Sequence, residues 1–389
     1  MSRASDEDLA CTLGLLEALV RFDTESTRSN LPLIDYVETW LRDLGVATVR
    51  VPNASGDKAA LHALIGPAVD GGVVLSGHTD CVPVAGQEWT SDPFVLRAEG
   101  GKLYGRGACD MKGFDACCLA SVPMFMAAGL TKPIHLLFSY DEEVSCEGSL
   151  DTIRKLGVDL PRPAACIVGE PTLMRVADGQ KSIATYRTHV RGHEAHSAIP
   201  ARGVSAIATA VDLIAQINAI GAEFRAMSQE ASPFDPPYAT VHVGTIAGGT
   251  ARNILARDCT FYWEYRGLPD MPIRAAYDRF EQAADRHRKT TFANFSDCFI
   301  DTLIECEVPG LVPEAGSAAE QLAKALTGQN ETEAVSYATE AGQFQKAGIP
   351  TVICGPGNIA QAHQADEFIA ETELRGCLDF LRGMATRLS

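Results

Sequence analysis

A histidine with a carboxylate two residues on, His78 and Asp80, closes an apolar run that begins at Val73. Residues two apart in a strand point the same way. One ring nitrogen of His78 is then free to ligate a metal, and Asp80 can accept the other ring N–H and fix the tautomer. Further on, Gly105-Arg106-Gly107 makes a glycine-rich turn before Asp110, which suits an exposed carboxylate at a sheet edge. An isolated His–Asp pair is more often structural than catalytic. Here the same chemistry recurs. Asp141-Glu142-Glu143 follows the run Ile134–Tyr140, Glu170 follows Ala165–Gly169, and His363 follows Thr351–Cys354 and Gly355-Pro356-Gly357. Four apolar strands each deliver carboxylates or histidine to their C-terminal ends, the edge where open α/β sheets place their sites.

The flanking pattern supplies the elements that must hold those residues. Leu9, Leu13, Leu15, Leu16, Leu19 and Val20 space an amphipathic helix over 6–22, and Asn30 is placed to cap a second one, 31–44, ended by Gly45. Residues 46–51 and 59–65 are strand-like, 110–129 is predicted as one long helix, and 150–156 as another. Strands alternating with helices over short links indicate an α/β domain with a mostly parallel, helix-covered sheet. The character changes near Asp178. Ile183, Thr185, Arg187, His189 and Arg191 alternate as on a half-exposed strand, then come a helix over 203–220, strands over 238–246 and 258–265, and a helix over 274–288. This predicts a smaller inserted α/β domain at 180–300, between the two parts of the first domain at 1–179 and 301–389. Within it, His193-Glu194-Ala195-His196 is one residue short of the helical zinc motif His-Glu-x-x-His, so it is expected to be a loop and not a metal site.

The chain has 389 residues, enough for two cores, and its 46% hydrophobic and 21% charged residues are ordinary for a soluble globular protein. A net charge of −17 argues against nucleic acid, anionic membrane or a polyanionic substrate as partner. Two readings of the acidity stay open: solubility alone, or a welcome for cationic and zwitterionic substrates. No leader-like N-terminus and no apolar run of membrane-spanning length is expected, which indicates a cytoplasmic protein. The twelve cysteines are scattered without a Cys-x-x-Cys and read as small buried hydrophobes in a reducing compartment. Cys81 and Cys109, beside Asp80 and Asp110, are the two expected to be accessible enough for oxidation.

Taken together, His78-x-Asp80, Gly107-x-x-Asp110-Met111-Lys112-Gly113, Asp141-Glu142-Glu143, Glu170-Pro171-Thr172 and Ala362-His363-x-x-Asp366-Glu367 resemble the dinuclear zinc amidohydrolases of the M20 metallopeptidase family. The resemblance spans nearly the whole chain. It is fullest with the acetylornithine-deacetylating branch, through Gly77–Val84, Trp89–Phe94, Leu103–Gly107, Thr339-Glu340-Ala341 and Gly355–His363. It implies two Zn2+ ions, with Co2+ or Mn2+ as substitutes. Asp110 would bridge them, His78 and Glu170 would complete one, and Glu143 and His363 the other. Glu142 would be the general base, supported by Asp80, and the Asp110–Met111 peptide would be cis. The inserted domain would be a lid that forms a homodimer, with His196 reaching the substrate carbonyl from the neighbouring subunit and Arg252 and Asn253 binding the substrate carboxylate. The implied reaction is hydrolysis of an N-acetyl amino acid, N2-acetyl-L-ornithine first, as in arginine biosynthesis. Acetylcitrulline, other N-acyl amino acids and succinyl-diaminopimelate come behind it, and a non-catalytic relative that only binds amino-acid derivatives is the alternative. The acidity and Thr339-Glu340-Ala341 suggest that a cationic side chain is accepted. The chain departs from the pattern at Ala365, Cys81, Cys109 and Asp178–Lys181, none a proposed ligand.

Overall fold

The computed structural model describes residues 4–228 and 231–389. It divides into two compact units, one of residues 1–179, 313–334 and 339–389, the other of residues 180–312 and 335–338.

In the first unit an eight-stranded sheet runs Ala47–Pro52, Ala59–Ile65, Ile134–Ser139, Val73–His78, Ala165–Pro171, Thr351–Gly355, Ala177–Gln180, Glu333–Val335. The four strands from Ile134–Ser139 to Thr351–Gly355 pair in parallel. These four are buried along their whole length, which is why they read as unbroken apolar runs. On either side the pairing turns antiparallel, so the sheet is mixed. Helix Asp6–Val20 opens on a capping box, with Ser5 accepting from the Asp8 N–H and Asp8 reaching back to the Ser5 N–H. It packs through Leu16, Leu19 and Val20 into the core shared with helix Gly113–Ala120 and the last helix, Glu371–Leu388.

Two expectations here are corrected. The single helix over 110–129 is broken twice: Ala108–Lys112 is a wide turn with Asp110 and Met111 outside helical geometry, and helix Gly113–Ala120 stops before Val122–Ala127. Pro123 explains the second break, because it has no N–H to donate and its ring crowds the carbonyl four residues back. Asn30 does not cap its helix; its side chain bonds Ala59 N and O and Thr79 Oγ1, tying the helix start to two strands. A small antiparallel sheet, Arg97–Glu99, Lys102–Tyr104 and Phe368–Ala370, was not foreseen.

The second unit runs Ser182–Arg191, helix Ala206–Ala226, Thr240–Gly248, Asp258–Gly267, helix Ala275–Lys289, Phe299–Val308. This β-α-β-β-α-β order closes a four-stranded antiparallel sheet in the order second, third, first, fourth strand. The expected boundary at 300/301 is therefore wrong: Phe299–Val308 pairs with Ser182–Arg191 as an integral strand, and the main segment of the unit runs to Val312. Tyr186 stacks on Trp263 at 4.2 Å and on Tyr277 at 5.3 Å in its core. At the two ends of the 180–312 segment, Gln180 and Leu311 exchange N–H···O bonds of 3.1 Å in both directions. Against expectation, one helix among the described residues, Ala206–Ala226, is long and apolar enough to cross a membrane by length and composition alone. Here it packs Ala206, Ala210, Leu213, Ile217, Ile220 and Phe224 into the core of its own unit.

Candidate metal centre

The Val73–His78 strand ends on a histidine that is 1% exposed. Its Nδ1 donates to the main-chain carbonyl of Asp80 at 3.0 Å, and the Asp80 carboxylate lies farther off, at 3.5 Å. The tautomer is thus fixed by the Asp80 backbone rather than by its side chain. In the neutral ring the Nε2 lone pair faces carboxylates: Asp110 Oδ1 at 3.0 Å, Glu170 Oε1 at 3.8 Å and Glu142 Oε2 at 4.0 Å. Such an arrangement is repulsive unless a cation, proton or metal, lies among those atoms.

The Asp80 carboxylate has another task. Its two oxygens accept the backbone N–H groups of Glu142 at 3.2 Å and Glu143 at 3.3 Å, and Ser26 Oγ donates to it at 2.7 Å. The turn that carries the two glutamates is held from its other side by Lys58, which pairs with Asp141. Asp141 sits at φ 57°, and its carbonyl gathers the N–H groups of Val144, Ser145 and Cys146. Asp110 leaves its turn by a cis bond to Met111. Gly107, at φ 76°, lets that turn fold over the buried Lys112, whose Nζ donates to Phe22 O.

These loops gather two sets of donors. His78, Asp110 and Glu170 form one and Asp110, Glu143 and His363 the other, each with its ligand atoms within 4.8 Å of one another. Asp110 belongs to both. His363 Nε2 lies 3.0 Å from Glu143 and 3.3 Å from Asp110 Oδ2, and at half exposure it is where the cluster meets solvent. Glu142 is in neither set; Cys146 Sγ donates to its Oε1 at 3.4 Å.

Charge in the cluster is unbalanced. Burial first, and then neighbouring carboxylates, push Glu142 and Glu170 well above the usual carboxylate range and Glu143 to about 7. Burial also pushes Asp110 upward, but hydrogen bonds with His363 and His78 outweigh it and hold the carboxyl low. Hydrogen bonds to Asp110 and Glu143 raise His363 to about 10. Glu170 Oε1 is buried with no hydrogen-bond partner among the described residues. An imidazole nitrogen aimed at carboxylates, a buried carboxylate oxygen without a hydrogen bond and a set that retains protons all fit divalent cations, which displace those protons on binding. Histidine and carboxylate donors without thiolate are the set of a catalytic rather than a structural zinc. The two cysteines expected to be oxidisable are buried, at 0% and 1% exposure. Burial pushes Cys81 to about 11 and Cys109 upward also, so neither is a ready thiolate.

The model of peptidase family M20/M25/M40 matches residues 74–387, which include every one of these donors. The chain belongs to the M20 family. It is 33% identical over 377 residues to the acetylornithine deacetylase of Myxococcus xanthus, covering 93% of each chain. It is 34% identical over 348 residues to that of Shigella sonnei, covering 88% of this chain and 87% of the relative. An M20 metallo-carboxypeptidase of Sulfolobus solfataricus superposes with a TM-score of 0.75 at 17% identity, over 96% of this chain and 98% of that one. Human carnosine dipeptidase 1 superposes at 0.72 and 17%, over 98% and 97%. The protein is therefore an M20 hydrolase with the M20 fold.

The other predicted site residues lie in the second unit. His196, Arg252 and Asn253 are exposed and close together: Ser197 N donates to Asn253 O at 3.0 Å, and His196 bridges to Ile254. Ala198 N donates to His196 Nδ1 at 3.1 Å, which leaves Nε2–H as an outward donor. Glu340 is not a reader of substrate charge. It is 1% exposed, accepts from Ser76 Oγ at 3.2 Å beneath the His78 strand, and is pushed by burial to about 7. Sequence reasoning missed Ser26, Lys58 and the Arg106–Glu367 pair. Only the last had a signal, since both residues stood inside the recognised motifs.

Proposed function

We propose that this M20 hydrolase removes the acetyl group from N2-acetyl-L-ornithine, releasing L-ornithine and acetate as a step of arginine biosynthesis in the cytoplasm. The observation that carries the reading is the pair of donor sets sharing Asp110, with the buried carboxyl of Glu142 beside both and part of neither. Asp110 would bridge two zinc ions, with His78 and Glu170 on one and Glu143 and His363 on the other. Such ions, when bound, supply Lewis acidity that makes a water more acidic and polarises the amide carbonyl. Glu142 is the general base: its Oε2 takes the proton of the attacking water and returns it to the leaving amine. Asp80 positions Glu142 and Glu143 together through their backbone N–H groups. Twelve free thiols suit a reducing compartment.

The protein is read as a homodimer built on its second unit. His196 Nε2–H is the donor for the substrate carbonyl oxygen in the neighbouring subunit's site, and Arg252 with Asn253 takes the substrate carboxylate. Support comes from the exposure of these residues, from the backbone pairing of the segments that carry them, and from the outward Nε2–H. With Glu340 buried, the preference for a cationic side chain rests on the net charge of −17 and on the named relatives. The test is kcat/KM of zinc-loaded protein on a panel of N2-acetylornithine, acetylcitrulline and N-succinyl-diaminopimelate. Acetylornithine is expected to lead, and a lead for the succinylated substrate would refute the assignment.

A further inference from the structure

The Arg106–Glu367 pair is buried on both sides, each side chain 1% exposed. A buried ion pair is by itself weak evidence of anything. This one is unusual in what else it holds. Glu367 Oε2 accepts Arg106 Nη1 at 2.7 Å and Gly107 N at 3.1 Å, and its Oε1 accepts Cys109 N at 2.9 Å and Asp110 N at 3.1 Å. Three of the four donors are backbone groups of the turn that ends in Asp110, which belongs to both donor sets. Glu367 itself stands four residues after His363 in the same loop. Arg106 then reaches back into that loop. Its Nη1 also donates to Gln364 O at 3.3 Å, and its Nη2 donates to Gln87 Oε1. Gln87 Nε2 in turn donates to the His363 carbonyl at 2.8 Å.

The two segments so tied are distant in sequence, and each carries a donor of the same set. His363 sits at φ 61°, a conformation the loop does not favour for a non-glycine residue, so its position depends on outside restraint. We propose that Arg106, Glu367 and Gln87 are positioning residues that fix the Asp110–His363 separation and thereby set the affinity of the ion held by Asp110, Glu143 and His363. This rests on the dinuclear reading above. Partners that orient ligands in this way are commonly worth about 10–100-fold in metal affinity. Gln at 367 keeps the size of the side chain but swaps one acceptor for an NH2 group that opposes either Arg106 and the Gly107 N–H or the Cys109 and Asp110 N–H groups.

The experiment is a titration of metal-free full-length protein with Co2+ against a chromophoric chelator, read together with the melting temperature of the metal-free form. Wild type, E367Q, H363A, E367Q/H363A and Q87A are compared. E367Q is expected to weaken one ion about 10–100-fold. That ion is the one H363A loses, so E367Q/H363A should hold its remaining ion as H363A does. Two tight ions in E367Q, or weakening of the ion that H363A retains, overturns the proposal. A lower melting temperature with both ions unchanged assigns the pair to stability only and overturns it too. If E367Q does not fold, Q87A decides: the same ion weakened about tenfold with melting unchanged supports positioning, and unchanged affinity refutes it. A wild type that binds a single ion refutes the dinuclear reading, and the proposal falls with it, before any variant is compared.

Discussion

His62 and His135 form a buried pair away from the donor sets, and they set an acid limit on the fold. They sit on neighbouring strands, on one face, with His62 opposite Leu137 and His135 opposite Leu64. His62 Nε2 and His135 Nδ1 share a hydrogen bond of 3.0 Å, and the two residues are 1% and 0% exposed. One ring must be neutral to accept, and burial opposes charge on either. Burial, with His135 adding to it, lowers His62 to about 3, and burial lowers His135 to about 4. In the unfolded chain both return to about 6.5. Both folded values are depressed, so the unfolded state binds more protons between these limits. The pair's full stability is present above about pH 6.5 and is lost as pH falls towards the folded values. At pH 5 each histidine is about 1.5 pH units below its unfolded value, and at 1.36 kcal/mol per unit that costs about 2 kcal/mol each, about 4 together. A domain's whole stability is about 5–15 kcal/mol. The perturbation is H62L/H135L, which replaces both partners and is expected to be near neutral at pH 7. The assay is urea unfolding at pH 7, 6 and 5 for wild type and variant, with the difference taken at each pH so that titration of the metal centre cancels. Stability curves that fall in parallel would refute the reasoning. The result also guards the enzymology, because a falling rate below pH 6 then reports loss of fold as well as protonation of a base.

E142Q is expected to lower kcat by about 10²–10⁴-fold with metal content near wild type, and more than a tenth of wild-type kcat would exclude Glu142 as the base. H363A should lose one ion and H78A the other on metal titration; two tight ions in both variants would sink the dinuclear reading. Homodimers of H196A and of E142Q should each be nearly inactive, while random exchange puts one intact site of two in about half the dimers. Activity should then recover to roughly a quarter of wild type, and no recovery after exchange verified by mass spectrometry would remove His196 from the neighbouring site.

The strands that carry His78, Glu142, Glu170 and His363 were legible because a strand buried on both faces leaves an unbroken apolar run, and polar residues after such a run stand out. The gathering of His78, Asp110 and Glu170, and of Asp110, Glu143 and His363, was legible only through the resemblance, since nothing in local spacing brings Asp110 to His363. Hydrogen-bond partners were less visible. That His78 uses the Asp80 carbonyl while the carboxylate holds Glu142 and Glu143 depends on how two strand ends meet. Glu340 looked like a surface reader because sequence does not show that Ser76 lies beside it. The strand Phe299–Val308 alternates throughout, with Ile300, Thr302, Ile304, Cys306 and Val308 on the inward side, but apolar Phe299 and Leu303 on the exposed side blur the pattern in the sequence.

The reciprocal bonds between Gln180 and Leu311 bring together the two ends of the 180–312 segment, the main part of the second unit. For the first unit, the intervening residues amount to a loop whose two ends are already adjacent. Lengthening or shortening such a loop changes its closure entropy only slowly, by about 0.6 kcal/mol per doubling. The catalytic framework is therefore almost indifferent to what is spliced in at this junction. A chain with 181–310 replaced by a short turn should still fold its eight-stranded sheet, and a foreign domain with neighbouring termini should be tolerated there.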